Sequence, residues 1–173
     1  STVIHQAALH PHLDLEKLNQ ICDTCLHFDL AGLCTNLTRI PSARKRLGSK
    51  SKTKLISVIG FPFGDLPISL IKAQAEWAVS EGAEELDVVP NFFALSQGKI
   101  DIFAEELSIL CSIGPPVRVI LDVINLSPDK LSIAIDAAMD AGIIEIQNGN
   151  GFGLGFYVLN DFNKYGAEGV FGW

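Results

Sequence analysis

A regular alternation of short apolar segments with amphipathic ones limits the possible folds of this chain most strongly. The clearest apolar segment, residues 54–62, is rich in branched side chains and nearly free of charge, which is typical of a strand buried on both faces. Further strands are predicted at residues 3–9, 31–36, 85–90, 117–123 and around Ile144 and Ile146. Helices are predicted between them at residues 14–28, 42–47, 69–81, 102–111 and 127–141. This alternation indicates βα units that form a parallel sheet.

The number of βα units sets the expected architecture. Six units are legible up to Gly153, and the remaining residues hold at most one helix and a short strand. No glycine-rich fingerprint follows the first strand, which disfavours a dinucleotide-binding sheet. A closed eight-fold barrel takes about 200 residues or more. We therefore expect a single α/β domain over residues 1–173, a parallel (β/α) barrel that is incomplete, with about six to seven units.

Composition and charge exclude several classes of protein. Nearly half of the residues are apolar, which excludes a disordered chain, and the net charge of −7 disfavours nucleic-acid binding. The uncharged runs are too short and too often broken by Gly and Pro for membrane insertion, and the start lacks a signal-peptide pattern. The four cysteines favour a reducing compartment, either the cytoplasm or an organelle stroma after removal of a transit peptide.

One segment runs against the acidic balance. Residues 44–54 carry six cations and no acidic residue, namely Arg44, Lys45, Arg46, Lys50, Lys52 and Lys54. A solvated helix end with its loop explains the segment in ordinary terms. A docking patch for an acidic partner or a phosphate is the functional alternative.

The segment at residues 144–153 is the main candidate for a functional site. Gln147 is expected at the exit of a strand, which is where an α/β barrel places its chemistry. A glutamine forms hydrogen bonds there but cannot titrate or attack a carbonyl. The backbone N–H groups of Asn148, Gly149, Asn150 and Gly151 form a candidate cradle for phosphate, against the alternative of a plain βα turn.

Six segments of the chain are similar, in order and spacing, to motifs of the deoxyribose-phosphate aldolase family. Val-Ile-Gly-Phe-Pro-Phe-Gly resembles the family's Val-Ile-Gly-Phe-Pro-Leu-Gly, and Ile-Gln-Asn-Gly-Asn-Gly-Phe stands in the place of its Ile-Lys-Thr-Ser-Thr-Gly-Phe. All six lie at residues 4–11, 33–36, 58–64, 82–89, 117–122 and 146–152. The resemblance implies a (β/α)8 barrel and a class I aldolase, which forms a Schiff base and needs no cofactor.

The same resemblance assigns roles to individual positions. Gln147 stands where the family has its imine-forming lysine, and Arg118 stands where it has a fifth-strand lysine. The second lysine of the family, from a seventh-strand Lys-x-x-Gly-Gly segment, has no counterpart. The proton-relay carboxylate is retained as Asp87, and Asp122 replaces a glutamate. Functional and structural roles are both open for the two carboxylates, with Arg118 as the expected partner of Asp87.

The remaining titratable groups are weighed against metal and redox chemistry. His5, His10 and His12 could suggest a metal site, but two of them lie at a loop start, so no metal is expected. Cys22 and Cys25 have the spacing of a zinc or redox motif, yet they fall within a helix pattern without a second pair. We expect them to be core thiols.

Three functions follow from these observations. The main hypothesis is a barrel without Schiff-base chemistry that serves as a binding or assembly subunit, with a protein partner or a second copy covering its open edge. The second is an active lyase that cleaves a 2-deoxy sugar phosphate into an aldehyde and glyceraldehyde 3-phosphate. The third is a sensor that binds a sugar phosphate.

Overall fold

In the computed structural model, residues 4–123 and 125–149 are described. They form a sheet of six parallel strands in sequence order, each strand pairing with the next. The strands are β1 (His5–Ala8), β2 (Gly32–Thr35), β3 (Lys54–Ile59), β4 (Glu85–Val88), β5 (Val117–Leu121) and β6 (Glu145–Asn148). The helices are α1 (Leu15–His27), α2 (Ile40–Leu47), α3 (Ile68–Ser80), α4 (Phe92–Ser96), α5 (Ile100–Cys111) and α6 (Pro128–Asp140). This arrangement confirms an incomplete (β/α) barrel.

Capping explains where several helices begin. The carboxylate of Asp14 accepts from the backbone N–H of Lys17 at 2.8 Å, so α1 starts at the expected residue. Ser127 accepts from the N–H of Lys130, and Pro128 occupies the first turn of α6. Most strand and helix boundaries inferred from sequence agree with these elements to within about two residues, a normal uncertainty for element ends. The strand predicted at residues 54–62 ends earlier, at Ile59.

Two short helical segments between the main elements differ from the expectation. A 3₁₀ turn at Leu37–Arg39 leads directly into α2, which therefore begins at Ile40 rather than at residue 42. The helix α4 lies after β4, in a stretch for which no helix is predicted from the sequence. The side chain of Asn91 caps it by accepting from the N–H of Ala94 at 2.9 Å. Both lie at the carboxyl ends of strands.

The sheet separates two apolar regions. The larger one lies between the sheet and its helices, and includes Leu55, Leu86 and Val119 from the strands with Phe103 and Leu107 from α5. The smaller one lies on the opposite face and consists of Leu9, Cys34, Ile56 and Val58, with Ala7 and Phe61 packed against it. Because residues alternate between the faces of a strand, this second face is the concave interior of the curled sheet, which we call the lumen.

Candidate functional site

The lumen contains a buried ion pair between neighbouring strands. Asp87 lies on β4 and Arg118 is its register partner on β5. The guanidinium donates from Nε to Oδ1 at 2.7 Å and from Nη2 to Oδ2 at 2.9 Å, and both residues are 2% exposed or less. A charge buried this deeply needs a partner, and the planar fork of arginine matches a carboxylate. The expected pairing of Asp87 with Arg118 is confirmed.

Two further side chains attach to this pair from across the lumen. The thiol of Cys34 on β2 donates to Oδ2 of Asp87 at 3.3 Å. Nη1 of Arg118 lies 2.5 Å from Nδ1 of His5 on β1. Glu145 on β6 places a carboxylate oxygen 3.8 Å from the same Nη1. The Cys34 and His5 contacts join strands that are not neighbours in the sheet, whereas Glu145 lies on the strand next to Arg118. We call the four residues His5, Cys34, Asp87 and Arg118 the lumen network.

Electrostatics in the lumen network follow from burial and from the two opposite charges. Burial, with the adjacent Arg118 charge, lowers the pKa of His5 below its ordinary value, and the Asp87 charge opposes this only in part. Burial raises the pKa of the Cys34 thiol well above its ordinary value, and both the charge of Asp87 and its hydrogen bond add to the rise. Burial opposes the charge of Arg118, but Asp87 and Glu145 outweigh it and raise the guanidinium pKa.

A small cavity adjoins the lumen network. It measures about 20 Å³, and its walls include His5, Gln6, Asp87, Arg118 and Gln147. A volume of roughly 10–15 Å³ holds one water molecule, so the cavity accepts a group of about that size. No lysine of the described residues lines it. Barrels of this type place their active sites at the carboxyl ends of the strands, and Gln147 brings the lining of this cavity close to that end of β6.

The structure distributes the sequence candidates unevenly around this cavity. Asp87 and Gln147 line it, while Asp122 does not and instead accepts from the side-chain amide of Asn125 at 2.7 Å. Gln147 lies within β6 rather than at its exit, because the strand continues to Asn148. Gly149 follows the strand with a φ of 76°. Asn150 and Gly151, the other half of the candidate phosphate cradle, lie outside the described residues.

The basic segment at residues 44–54 lies away from the cavity, around the loop that enters β3 at its amino end. Half of its cations are occupied within the chain. Arg44 and Lys54 both pair with Glu84, at 2.5 and 3.2 Å, and Arg46 forms two hydrogen bonds with Asp23. These contacts support the solvated-helix interpretation for three of the six cations, and Lys45, Lys50 and Lys52 remain as candidate contacts.

The histidine and cysteine candidates for a metal or redox site lie apart from one another. His10 and His12 are surface rings whose centroids are 5.8 Å apart. Cys22 and Cys25 are free and buried against the helix-facing core, which confirms them as core thiols. Among residues 4–123 and 125–149, no group of three or more His, Cys, Asp or Glu side chains could hold a metal ion. None of the helices in that part of the chain has the length and apolar character needed to cross a bilayer.

Sequence reasoning missed two members of the lumen network. Cys34 was considered there only as part of a motif, and His5 only as part of a motif and as a candidate metal ligand. Their contacts with Asp87 and Arg118 span separations of 53 and 113 residues. Strand alternation does place His5 and Ala7 on one face of β1, so the inward direction of His5 was accessible from the sequence. The short distance between His5 and Arg118 across the lumen could not be inferred from the sequence.

Comparison with known proteins identifies the family. A deoxyribose-phosphate aldolase of Trichormus variabilis is 35% identical over 91% of this chain and 70% of its own length. The corresponding aldolase of Thermococcus kodakarensis is 32% identical over 91% of this chain and 73% of its length. The chain belongs to the deoxyribose-phosphate aldolase family. No family model matches it.

A solved structure of the same family agrees with the fold. The tetrameric deoxyribose-phosphate aldolase of Aeropyrum pernix superposes with a TM-score of 0.76 at 27% identity, covering 87% of this chain and 64% of the other. The incomplete barrel of the described residues therefore corresponds to part of a deoxyribose-phosphate aldolase barrel.

Proposed function

We propose that the chain is a lyase of the deoxyribose-phosphate aldolase type, which cleaves a 2-deoxy sugar phosphate to an aldehyde and glyceraldehyde 3-phosphate. The observation that carries this proposal is the relationship itself. Relatives that bear this name match nine-tenths of the chain at up to 35% identity. The kinship supports the lyase more directly than it supports a non-catalytic role, although the latter was the main expectation from the sequence.

Such a reaction needs an amine that attacks the carbonyl carbon. The described lining supplies none, since Gln147 occupies the position that the resemblance gives to the imine-forming lysine. Arg118 stays protonated, and both of its forked donors are engaged by Asp87. The lyase proposal therefore requires an amine from outside the described residues, and Lys164 is the candidate that the experiment below tests first.

A second candidate function is favoured by the cavity itself. A lining without an amine, around a carboxylate already held by Arg118, suits a binding or assembly subunit that lacks Schiff-base chemistry, or a sensor that binds a sugar phosphate without cleaving it. Within the described residues, β1 and β6 each pair on one side only. An open strand edge favours pairing with further chain, a partner protein or a second copy.

Borohydride trapping separates the candidates. The protein is incubated with 2-deoxyribose 5-phosphate and sodium borohydride, and the modified residue is located by peptide mass spectrometry. The lyase proposal predicts a reduced adduct on Lys164 that is absent from Lys164→Arg and retained in the control Lys72→Arg, whose native side chain pairs with Glu76 on α3. A protein without any adduct that still releases heat with the sugar phosphate in calorimetry supports the sensor. If the protein forms no adduct and releases no heat, the result supports the assembly subunit.

The partner and compartment proposals rest on surface features. A tetrameric relative supports a homo-oligomer as the simplest cover for the sheet edges. Sedimentation velocity of the native chain and of a triple variant with Lys45, Lys50 and Lys52 changed to Ser tests whether the basic segment takes part. Buried free thiols at Cys22, Cys25 and Cys34 favour a reducing compartment, cytoplasmic or stromal.

A further inference from the structure

The contact between Arg118 and His5 fixes the hydrogen positions of the imidazole. A guanidinium carries only donors, so the Nδ1 atom that it meets at 2.5 Å must present a lone pair. A neutral imidazole with a lone pair on Nδ1 carries its hydrogen on Nε2. The arginine therefore selects one of the two neutral tautomers. A protonated ring would bring a second positive charge against the guanidinium.

The charged groups around the ring agree with the neutral form. Arg118 lies against Nδ1, and Asp87 beyond it is engaged by the same guanidinium. Glu145 on β6 reaches Arg118 at 3.8 Å, and the Cys34 thiol on β2 donates to Asp87 and contributes no charge. Burial and the arginine charge outweigh the attraction of Asp87, so the pKa of His5 is lowered. The imidazole therefore stays neutral to a lower pH than an exposed histidine does.

The other ring nitrogen, Nε2, has no acceptor among the described residues. Within residues 4–123 and 125–149, no protein atom accepts a hydrogen bond from Nε2 of His5, although the ring lines the cavity together with Gln147. A cavity of about 20 Å³ has room for an oxygen-bearing group of a ligand. The carboxylates of Asp87 and Glu145 both lie against the single guanidinium of Arg118, which disfavours an anion there.

We infer that His5 is a fixed hydrogen-bond donor of the lumen, positioned by Arg118, and that its Nε2–H binds the oxygen of an uncharged carbonyl or hydroxyl group of the ligand. Asp87, with Arg118 on both oxygens and Cys34 on one, is then a supporting group rather than the residue that contacts this oxygen. The inference rests on the proposed function only in placing the ligand in this cavity, and the tautomer does not depend on turnover.

The tautomer is tested by NMR of the full chain with ¹⁵N-labelled histidine. Long-range ¹H–¹⁵N correlations distinguish a ring nitrogen that bears hydrogen from one that does not. We expect His5 to show hydrogen on Nε2 only, and to keep this pattern as the pH is lowered through about 6.5, the ordinary value for a histidine. Hydrogen on Nδ1, or protonation of His5 with an ordinary midpoint of about 6.5, overturns the inference.

The binding half is tested with D-glyceraldehyde as the uncharged probe and inorganic phosphate as the anionic one. We expect glyceraldehyde, and not phosphate, to shift the Nε2–H resonance of His5. His5→Gln keeps a donor near the Nε2 position, whereas His5→Leu removes it, so binding of the probe should weaken about five- to tenfold in His5→Leu and less in His5→Gln. Equal affinity in both variants contradicts the donor role.

Arg118 is tested as the positioning residue. In Arg118→Lys a cation remains beside Asp87, but the second arm of the fork is lost. We expect His5 to exchange between tautomers in this variant and probe binding to weaken. Gln147→Leu serves as the matched control, because it alters the same cavity without touching the Arg118–His5 contact, and it should leave the tautomer unchanged. If the tautomer of His5 is unchanged in both variants, a group other than Arg118 selects it, and the positioning role is contradicted. Failed lyase activity with an intact tautomer pattern refutes only the proposed function.

Discussion

At the scale of single residues, the most consequential contact is the buried pair of Asp87 and Arg118. Removing two charges from water is costly, and their attraction offsets the cost only when the geometry is favourable and the remaining donors are satisfied. Here both carboxylate oxygens accept from the guanidinium, and a third bond comes from Cys34. Removing one partner is therefore expected to lower the free energy of unfolding more than replacing both partners with apolar residues.

Breaking the pair from one side is the first prediction. Arg118→Met leaves a buried carboxylate without its partner, and we expect the free energy of unfolding to fall by about 3–5 kcal/mol. The double variant Asp87→Leu/Arg118→Met removes both charges and should recover most of that loss. Urea unfolding followed by tryptophan fluorescence measures both values. A single variant that loses less than about 1 kcal/mol would show that water or another group compensates the carboxylate.

The acid dependence of stability is the second prediction, and it concerns His5. Its folded-state pKa lies below the unfolded value of about 6.5, so the unfolded chain binds more protons in the interval between the two. Stability from this residue is complete above about pH 6.5 and declines as the pH falls towards the lowered folded pKa. Urea midpoints measured across this interval should fall more steeply for the native chain than for His5→Gln. Parallel slopes would contradict the assignment.

Sequence reasoning reached the residues of the site unequally. Asp87 and Arg118 were paired correctly because neighbouring strands of a parallel sheet bring inward residues at matching positions together. Asp122 was proposed on resemblance alone, and its carboxylate instead bonds to Asn125 in the loop after β5. His5 and Cys34 were not joined to the site, since only the curvature of the sheet brings β1 and β2 across to β5 and β4.

At the scale of secondary structure, apolar runs and capping residues predicted every described strand and the longer helices. The misplaced start of α2 has a tertiary cause. Arg39 lies in the 3₁₀ turn before it, and its guanidinium donates to the backbone carbonyls of Ala8, His10 and Pro11 at 2.8–3.3 Å. This tertiary contact holds the loop after β1 and fixes the turn. A contact between residues about 30 positions apart leaves no periodic signal in the sequence.

The loop after β3 gives the third prediction. Gly64 has a φ of +64°, and a Cβ there would overlap the carbonyl oxygen of Pro90 in the loop after β4. Gly98 has a similar φ of +71° with nothing within 4 Å, so it is the matched control. Gly98→Ala should cost only the conformational penalty, about 1 kcal/mol, whereas Gly64→Ala should cost about 1–3 kcal/mol more because backbone must move. Thermal unfolding compares the two, and equal losses would refute the close approach.

At the scale of the whole molecule, two packed regions share one sheet. The helix-facing core holds Cys22 and Cys25, and the lumen holds Cys34 within its network. The network ties β1 to β5 and β2 to β4, so the curled sheet is fastened across its concave face as well as along its strand edges. The two regions should therefore open together rather than in sequence.

Thiol reactivity tests this coupling and is the fourth prediction. The thiolate is the reactive form, and burial raises the pKa of Cys22 to about 11 and that of Cys25 to about 12. The Cys34 thiol is buried and donates to Asp87, whereas Cys111 is partly exposed. Iodoacetamide labelling at about pH 8, resolved by peptide mass spectrometry, should modify Cys111 first.

The other three thiols should follow at rates set by opening of the fold. Increasing urea should accelerate their labelling in parallel if the sheet opens as one cooperative unit. Asp87→Asn weakens the lumen network only, and it should increase the labelling rates of Cys22, Cys25 and Cys34 together. A faster labelling of Cys34 alone would show that the lumen opens by itself and that the cross-lumen contacts do not couple the strands.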